Sequence, residues 1–101
     1  MRIIIIGAGS GAVEIAGVIH SGKTFKLVGF AGNKADEKKF KGKSVFLNYN
    51  FIGLVDDLKR KHFTRNQIDG FIVGVADPTI KEKYYYKVPS FGLIPITVIS
   101  K

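Results

Sequence analysis

Residues 3–12 read IIIIGAGSGA, and this stretch sets the reading of the whole chain. Residues 3–6 are an unbroken apolar, β-branched run, which suits a strand covered on both faces of a parallel sheet. Gly7, Ala8, Gly9, Ser10 and Gly11 break the run with a turn. Apolar residues then return at Val13, Ile15, Ala16, Val18 and Ile19 with helical spacing. His20, Ser21 and Gly22 close that helix: a glycine suits a C-terminal cap, and a histidine suits the negative end of the dipole. A strand, a glycine turn and a helix in this order form the opening unit of an α/β fold.

The remaining elements are read outward from that unit. Residues 26–30 form a second strand. Residues 31–43 are polar, with Lys34, Lys38, Lys39, Lys41 and Lys43, and are expected to be a mobile loop with room for one helical turn. Residues 44–47 are assigned as a short third strand. Residues 51–62 are assigned as a helix capped by Asn50, with Ile52, Val55 and Leu58 along one face and Lys59, Arg60 and Lys61 at its negative end. Residues 71–75 form a fourth strand. Asp77-Pro78 opens a last helix, because aspartate caps and proline fits the first helical position. Pro89 stops that helix, and residues 96–99 form a fifth strand. Strands alternating with helices predict one Rossmann-like three-layer α/β/α domain over residues 1–101. Its five-stranded parallel sheet should have the order 3-2-1-4-5.

Composition agrees with one globular domain. The 101 residues are 46% hydrophobic, enough for a core. There is no cysteine, which removes disulfides, thiolate metal sites and cysteine nucleophiles. The apolar run after Met1-Arg2 is too short for a secretory signal, and no stretch reaches the ~20 residues of a membrane span. A cytoplasmic protein without a membrane partner is expected. The net charge of +8 favours anionic partners: nucleic acid, an acidic protein or a phosphorylated small molecule. Scattered lysines also simply solvate a surface.

The spacing Gly7-x-Gly9-x-x-Ala12 matches the G-x-G-x-x-G/A phosphate-binding pattern in its required strand-to-helix context. Gly7 permits the tight turn. Gly9 lets a pyrophosphate approach the backbone, and Ala12 lets the helix pack on the sheet. The free N–H groups and positive dipole at the helix start then hold an anion. Ser10 either donates a hydroxyl or caps the helix. A dinucleotide would need an acidic residue about 20 positions on, at the end of the second strand. Ala31, Gly32, Asn33 and Lys34 stand there, which counts against NAD, while Lys34 leaves NADP as an alternative. The lysine-rich segment after the second strand reads equally as an anion clamp and as solvated charge. Asp77 and Lys81 fall just beyond the fourth strand, on the same edge of the sheet.

Several stretches together resemble the N-terminal domain of bacterial sugar O- and N-acyltransferases, the PglD/NeuD-like group. They are residues 3–11 (IIIIGAGSG), 27–34 (LVGFAGNK), 52–58 (IGLVDDL), 68–81 (IDGFIVGVADPTIK) and 95–100 (PITVIS). The resemblance implies a domain that binds a nucleotide-sugar of the UDP-sugar type. Gly9, Ser10 and Gly11 would lie near the sugar-diphosphate, Asn33 near the base, and Asp77 and Lys81 at the rim. It also implies a role in surface-glycan biosynthesis, in enzymes that acetylate sialic acids or amino sugars. The family's catalytic histidine, acetyl-CoA site and trimer belong to a left-handed β-helix of hexapeptide repeats, and these 101 residues hold no such repeat. No cofactor is therefore expected in this chain, and a β-helix acyltransferase domain is its implied partner. Gly11 stands where the family often has histidine, Gly32 and Asn33 where it has aspartates, and Pro78 where it has asparagine. These departures bear on the sugar specificity.

No catalytic constellation is visible in the chain itself. His20 and His62 are read at helix C-termini, away from the glycine turn, and give no zinc spacing. Asp56 and Asp57 are sequence neighbours and do not form a carboxylate pair on a helix. Asp36 and Glu37 read as surface charge among lysines. In residues 84–86, three consecutive tyrosines, at least one must face the core. With Lys81, Lys83 and Lys87 they give a basic-aromatic alternative for nucleic acid, a weaker reading than packing. The rivals to a nucleotide-sugar domain are an NAD(P)-binding oxidoreductase domain and a basic regulatory or nucleic-acid-interaction domain.

Overall fold

A computed structural model describes residues 1–8, 10–22, 24–42, 49–74, 78–87 and 92–96. The elements in chain order are β1 (Arg2–Ile6), α1 (Ser10–Ser21), β2 (Lys26–Gly32), α2 (Lys34–Gly42), β3 (Asn50–Leu54), α3 (Arg60–Arg65), β4 (Gly70–Val73), α4 (Pro78–Lys87) and β5 (Ile94–Pro95). The five strands form one sheet in the order β3-β2-β1-β4-β5, and every pairing is parallel. This is the predicted Rossmann-like α/β topology.

The isoleucine run explains why β1 is central. Successive strand residues point to opposite faces, so a strand covered on both sides must be apolar throughout. Ile3 and Ile5 join one core cluster with Ala12, Ala16 and Ile19 of α1 and with Phe30. Ile4 and Ile6 join the other with Val55, Leu58, Phe63, Phe71 and Tyr84. The first cluster carries an aromatic group at the sheet edge. Phe40 of α2 lies 5.4 Å from Phe30 and 5.5 Å from Phe51, centroid to centroid.

Three expectations for the middle of the chain are corrected. The segment read as a mobile loop over residues 31–43 is two ordered elements: β2 runs on to Gly32, and Lys34–Gly42 is α2. Its lysines are solvated on a helix that docks through Phe40, so polar composition hid the helix. The strand beside β2 is Asn50–Leu54; residues 44–47, expected as the third strand, lie outside the described residues. Asn50 is therefore a strand residue and not a helix cap. The helix assigned to residues 51–62 divides into this strand, a turn through Asp56 and Asp57, and the short α3. Ile52, Val55 and Leu58 fit a helical period, but Phe51-Ile52 is also an aromatic and β-branched pair that packs well in a sheet.

Smaller differences lie at the ends of the chain's later elements. β4 begins at Gly70 and β5 is Ile94–Pro95, with the Ile96 N–H continuing the ladder to the Phe71 carbonyl at 2.9 Å. The predicted strand residues 75 and 97–99, and the predicted stop at Pro89, lie outside the described residues. α4 starts at Pro78, as the Asp77-Pro78 pair predicts. No helix among the described residues is long and apolar enough to cross a membrane.

Candidate functional site at the carboxyl edge of the sheet

Parallel strands deliver all their carboxyl ends to one edge, and ligands of open α/β sheets bind outside it at the point where strand order reverses. Here that point lies at β1, between β2 and β4. Backbone bonds stitch the strand ends together. The Gly7 N–H donates to the Ala31 carbonyl at 2.7 Å, Val55 to Gly32 at 2.8 Å, and Gly74 to Ile6 at 2.8 Å. Gly7 has φ 113°, a left-handed geometry that glycine adopts without strain. The turn after β1 thus forms for the reason the sequence indicates.

Helix α1 begins at Ser10. Its first-turn N–H groups have no intrahelical acceptor and face the positive end of the dipole. The helix lies very close to the sheet. A Cβ on Gly11 would sit 3.3 Å from the Gly74 carbonyl oxygen, and one on Gly74 would sit 3.0 Å from the Ala12 Cα. A side chain at Gly11 would therefore press on the backbone at the end of β4, whatever the turn binds. Ala12 is fully buried, in keeping with its expected packing role.

The structure adds a residue that the sequence reading placed on the surface. Asp36 is buried, and its carboxylate ties two segments of the edge together. Its Oδ1 accepts the Ala8 N–H at 3.2 Å, and its Oδ2 accepts the Asn33 N–H at 3.0 Å. In return the Asp36 N–H donates to the Asn33 Oδ1 at 2.9 Å. Asn33 and Asp36 thus form a reciprocal capping box at the start of α2, and the same carboxylate reaches across to the glycine turn. Gly32 leaves room for it, because a Cβ there would lie 2.6 Å from the Asp36 Cβ. An asparagine followed three residues later by an aspartate is a legible cap signal. The surrounding lysines masked it.

The predicted site residues fall as follows. Gly7 shapes the turn. Ala8 is buried, and its N–H is already engaged by Asp36. Ser10 and Gly11 open α1, beside the end of β4. Asn33 is exposed at the mouth, with its side-chain oxygen committed to the cap of α2. Lys34 is the exposed first residue of α2. Lys81 is exposed on the second turn of α4. Gly9 and Asp77 lie outside the described residues. The edge thus gathers the glycine turn, the start of α2 and the end of β4.

On the α3/α4 face of the sheet, Tyr84 is 5% exposed. Its phenol is pushed above the ordinary value of 10.0 by burial first, and then by the nearby carboxylates of Asp36 and Asp56. The tyrosine triplet divides as helical geometry requires: Tyr84 is buried, Tyr85 is half-buried against Phe71, and Tyr86 is exposed.

The histidines stand apart from the edge. His20 is exposed in the last turn of α1. His62 differs from expectation: it lies in the first turn of α3, where its Nδ1 accepts the Lys59 N–H at 2.9 Å. Among the described residues no group of three or more His, Cys, Asp or Glu residues forms a metal centre. A surface hollow of about 300 Å³ opens at the opposite end of the sheet, beside His20, Phe25, Lys26 and Tyr49. It contains no residue of the glycine turn.

Comparison with known proteins agrees with this architecture. The family model described as the PglD N-terminal domain matches residues 2–88. No curated protein and no solved structure matches. The matched span runs from β1 past the end of α4 and includes the glycine turn, the start of α2 and the end of β4. The chain belongs to the PglD N-terminal domain family and is thereby related to the bacterial sugar acetyltransferases.

Proposed function

We propose that this domain binds a nucleotide-sugar, of the UDP-sugar type, at the carboxyl edge of its sheet. The diphosphate docks on the first-turn amides of α1, where unpaired N–H groups and the helix dipole favour an anion. Gly9 keeps that approach free of a side chain, and Ser10 adds a hydroxyl. Lys34 and Lys81 supply positive charge at the rim, with Asp77 beside them and the Asn33 amide group facing the base. Acetyl transfer from acetyl-CoA belongs to a left-handed β-helix domain that acts together with this one. The sugar is then a sialic acid or amino sugar of a surface-glycan pathway in the cytoplasm. The observation that carries the reading is a glycine turn at the switch point of a domain that belongs to this family.

The position of Asp36 weighs against the dinucleotide alternative. Its carboxylate is turned inward onto the Ala8 and Asn33 N–H groups, and no acidic residue stands at positions 31–34, where the ribose partner of NAD is expected. A thermal-shift panel of UDP-N-acetylglucosamine, NAD, NADP and single-stranded DNA tests the assignment. Stabilisation by the UDP-sugar alone is expected. At a ligand concentration 100 times Kd the stabilisation is about 2.7 kcal/mol, a readily measured rise in Tm. A shift with dinucleotides only, or a salt-sensitive shift with DNA only, overturns it.

A further inference from the structure

Among the described residues Asp36 is the charged side chain that is buried, at 8% exposed. A carboxylate leaves water at a cost unless its oxygens find donors. Here the donors are two backbone amides from different parts of the edge, Ala8 in the turn after β1 and Asn33 after β2. Capping α2 does not require both. The capping box is complete with the Asn33 Oδ1 on the Asp36 N–H and the Asp36 Oδ2 on the Asn33 N–H. The Oδ1 bond to Ala8 reaches beyond the cap, and Gly32 leaves the space for it. Both partners of the carboxylate donate, so the bridge needs a side chain that only accepts, as an ionised aspartate does.

The bridge holds the glycine turn at a second point. The Gly7 N–H is already fixed on the Ala31 carbonyl at 2.7 Å, and Asp36 fixes the next N–H along the chain. The other end of the bridge holds Asn33, which is exposed at the mouth and followed by the exposed Lys34. One inward-facing carboxylate therefore sets the spacing between the turn that leads into α1 and the start of α2. We propose that Asp36 is a positioning residue for ligand binding: it keeps these two segments at the separation at which one nucleotide-sugar touches both. The inference rests on the nucleotide-sugar reading above, and it gives Asp36 no contact with the ligand. A ligand that engages two segments at once binds more weakly when binding itself has to order them.

The test is calorimetric titration of wild type, Asp36→Asn and Phe40→Leu with UDP-N-acetylglucosamine, well below the Tm of each protein. There a loss of stability alone leaves Kd unchanged. Asparagine keeps the shape of the side chain but sets an amide donor against one of the two N–H donors. Phe40→Leu loosens the docking of α2 on Phe30 and Phe51 and keeps the carboxylate. Asp36→Asn is expected to bind about 3- to 10-fold more weakly, the scale of one lost hydrogen bond. Phe40→Leu is expected to bind as wild type does. If Asp36→Asn does not fold, Gly32→Ala takes its place, since its methyl group displaces the carboxylate, and the same loss is expected. Wild-type affinity in the folded variant of this pair overturns the inference and leaves the nucleotide-sugar reading standing. An equal loss in Phe40→Leu also overturns it, because Asp36 then only supports α2. If wild type does not bind UDP-N-acetylglucosamine, the nucleotide-sugar reading falls and takes the inference with it.

Discussion

Asp36 shows how far a single side chain departs from its sequence context. It stands in the run Lys34-Ala35-Asp36-Glu37-Lys38-Lys39, where each charge looks solvated. Its neighbours behave so: Glu37 makes a 3.9 Å pair with Lys41, a surface contact worth little. Asp36 instead turns inward, because backbone N–H groups of Ala8 and Asn33 offer a carboxylate better partners than a lysine in water. Gly32 is the other half of that arrangement. Gly32→Ala puts a methyl group into the space held by the Asp36 side chain. It is expected to cost about 1–3 kcal/mol in urea unfolding, the usual scale for an overpacked site. A cost below about 0.5 kcal/mol, the level of an indifferent surface change, is incompatible with so close a contact.

Tyr84 gives a prediction in pH. Its phenol is raised above 10.0 in the folded chain, so the folded state holds this proton more tightly than the unfolded state does. The contribution is complete below pH 10.0. It is lost as pH rises from 10.0 through the higher folded value. Stability of the wild type is therefore expected to fall more steeply above about pH 10 than that of Tyr84→Phe, measured by chemical denaturation across the alkaline range. Parallel curves for the two proteins contradict the burial of the phenol among carboxylates.

At the scale of the element, α2 is the instructive case. Its composition is nearly all polar, and lysines recur without a clear apolar stripe. Two features make it a helix. The Asn33–Asp36 capping box satisfies N–H groups at its start, and Phe40 anchors it to Phe30 and Phe51. Asn33→Ala removes the cap and is expected to destabilise the ligand-free domain by about 1 kcal/mol. A purely ligand-facing Asn33 would leave the ligand-free stability unchanged, so denaturation without nucleotide separates the two roles. β3 teaches the converse. Ile52, Val55 and Leu58 have helical spacing, but Phe51 and Gly53 pair with Phe30 and Ala31 of β2. A short apolar stretch satisfies either period, and the free edge of β2 decides between them.

Across the whole molecule, the strongest local signals coincide with the parts buried on both sides. Residues 3–6 can only be a central strand, the glycine turn can only lead into a helix, and Asp77-Pro78 marks the start of α4. Those features, with alternating elements and right-handed crossovers, determined the parallel sheet and its order from sequence alone. The same residues located the candidate edge and carried the resemblance that the family match over residues 2–88 bears out. The tertiary structure alone decided where β3 lies, that α2 is a helix, and that Asp36 turns inward to bond the glycine turn. The physical reason is range. A strand fully buried by its own composition, or a turn that only glycine permits, is specified by adjacent residues. A carboxylate bonded to an amide 28 residues away, or a strand chosen by its neighbour's free edge, exists only once the chain has closed on itself.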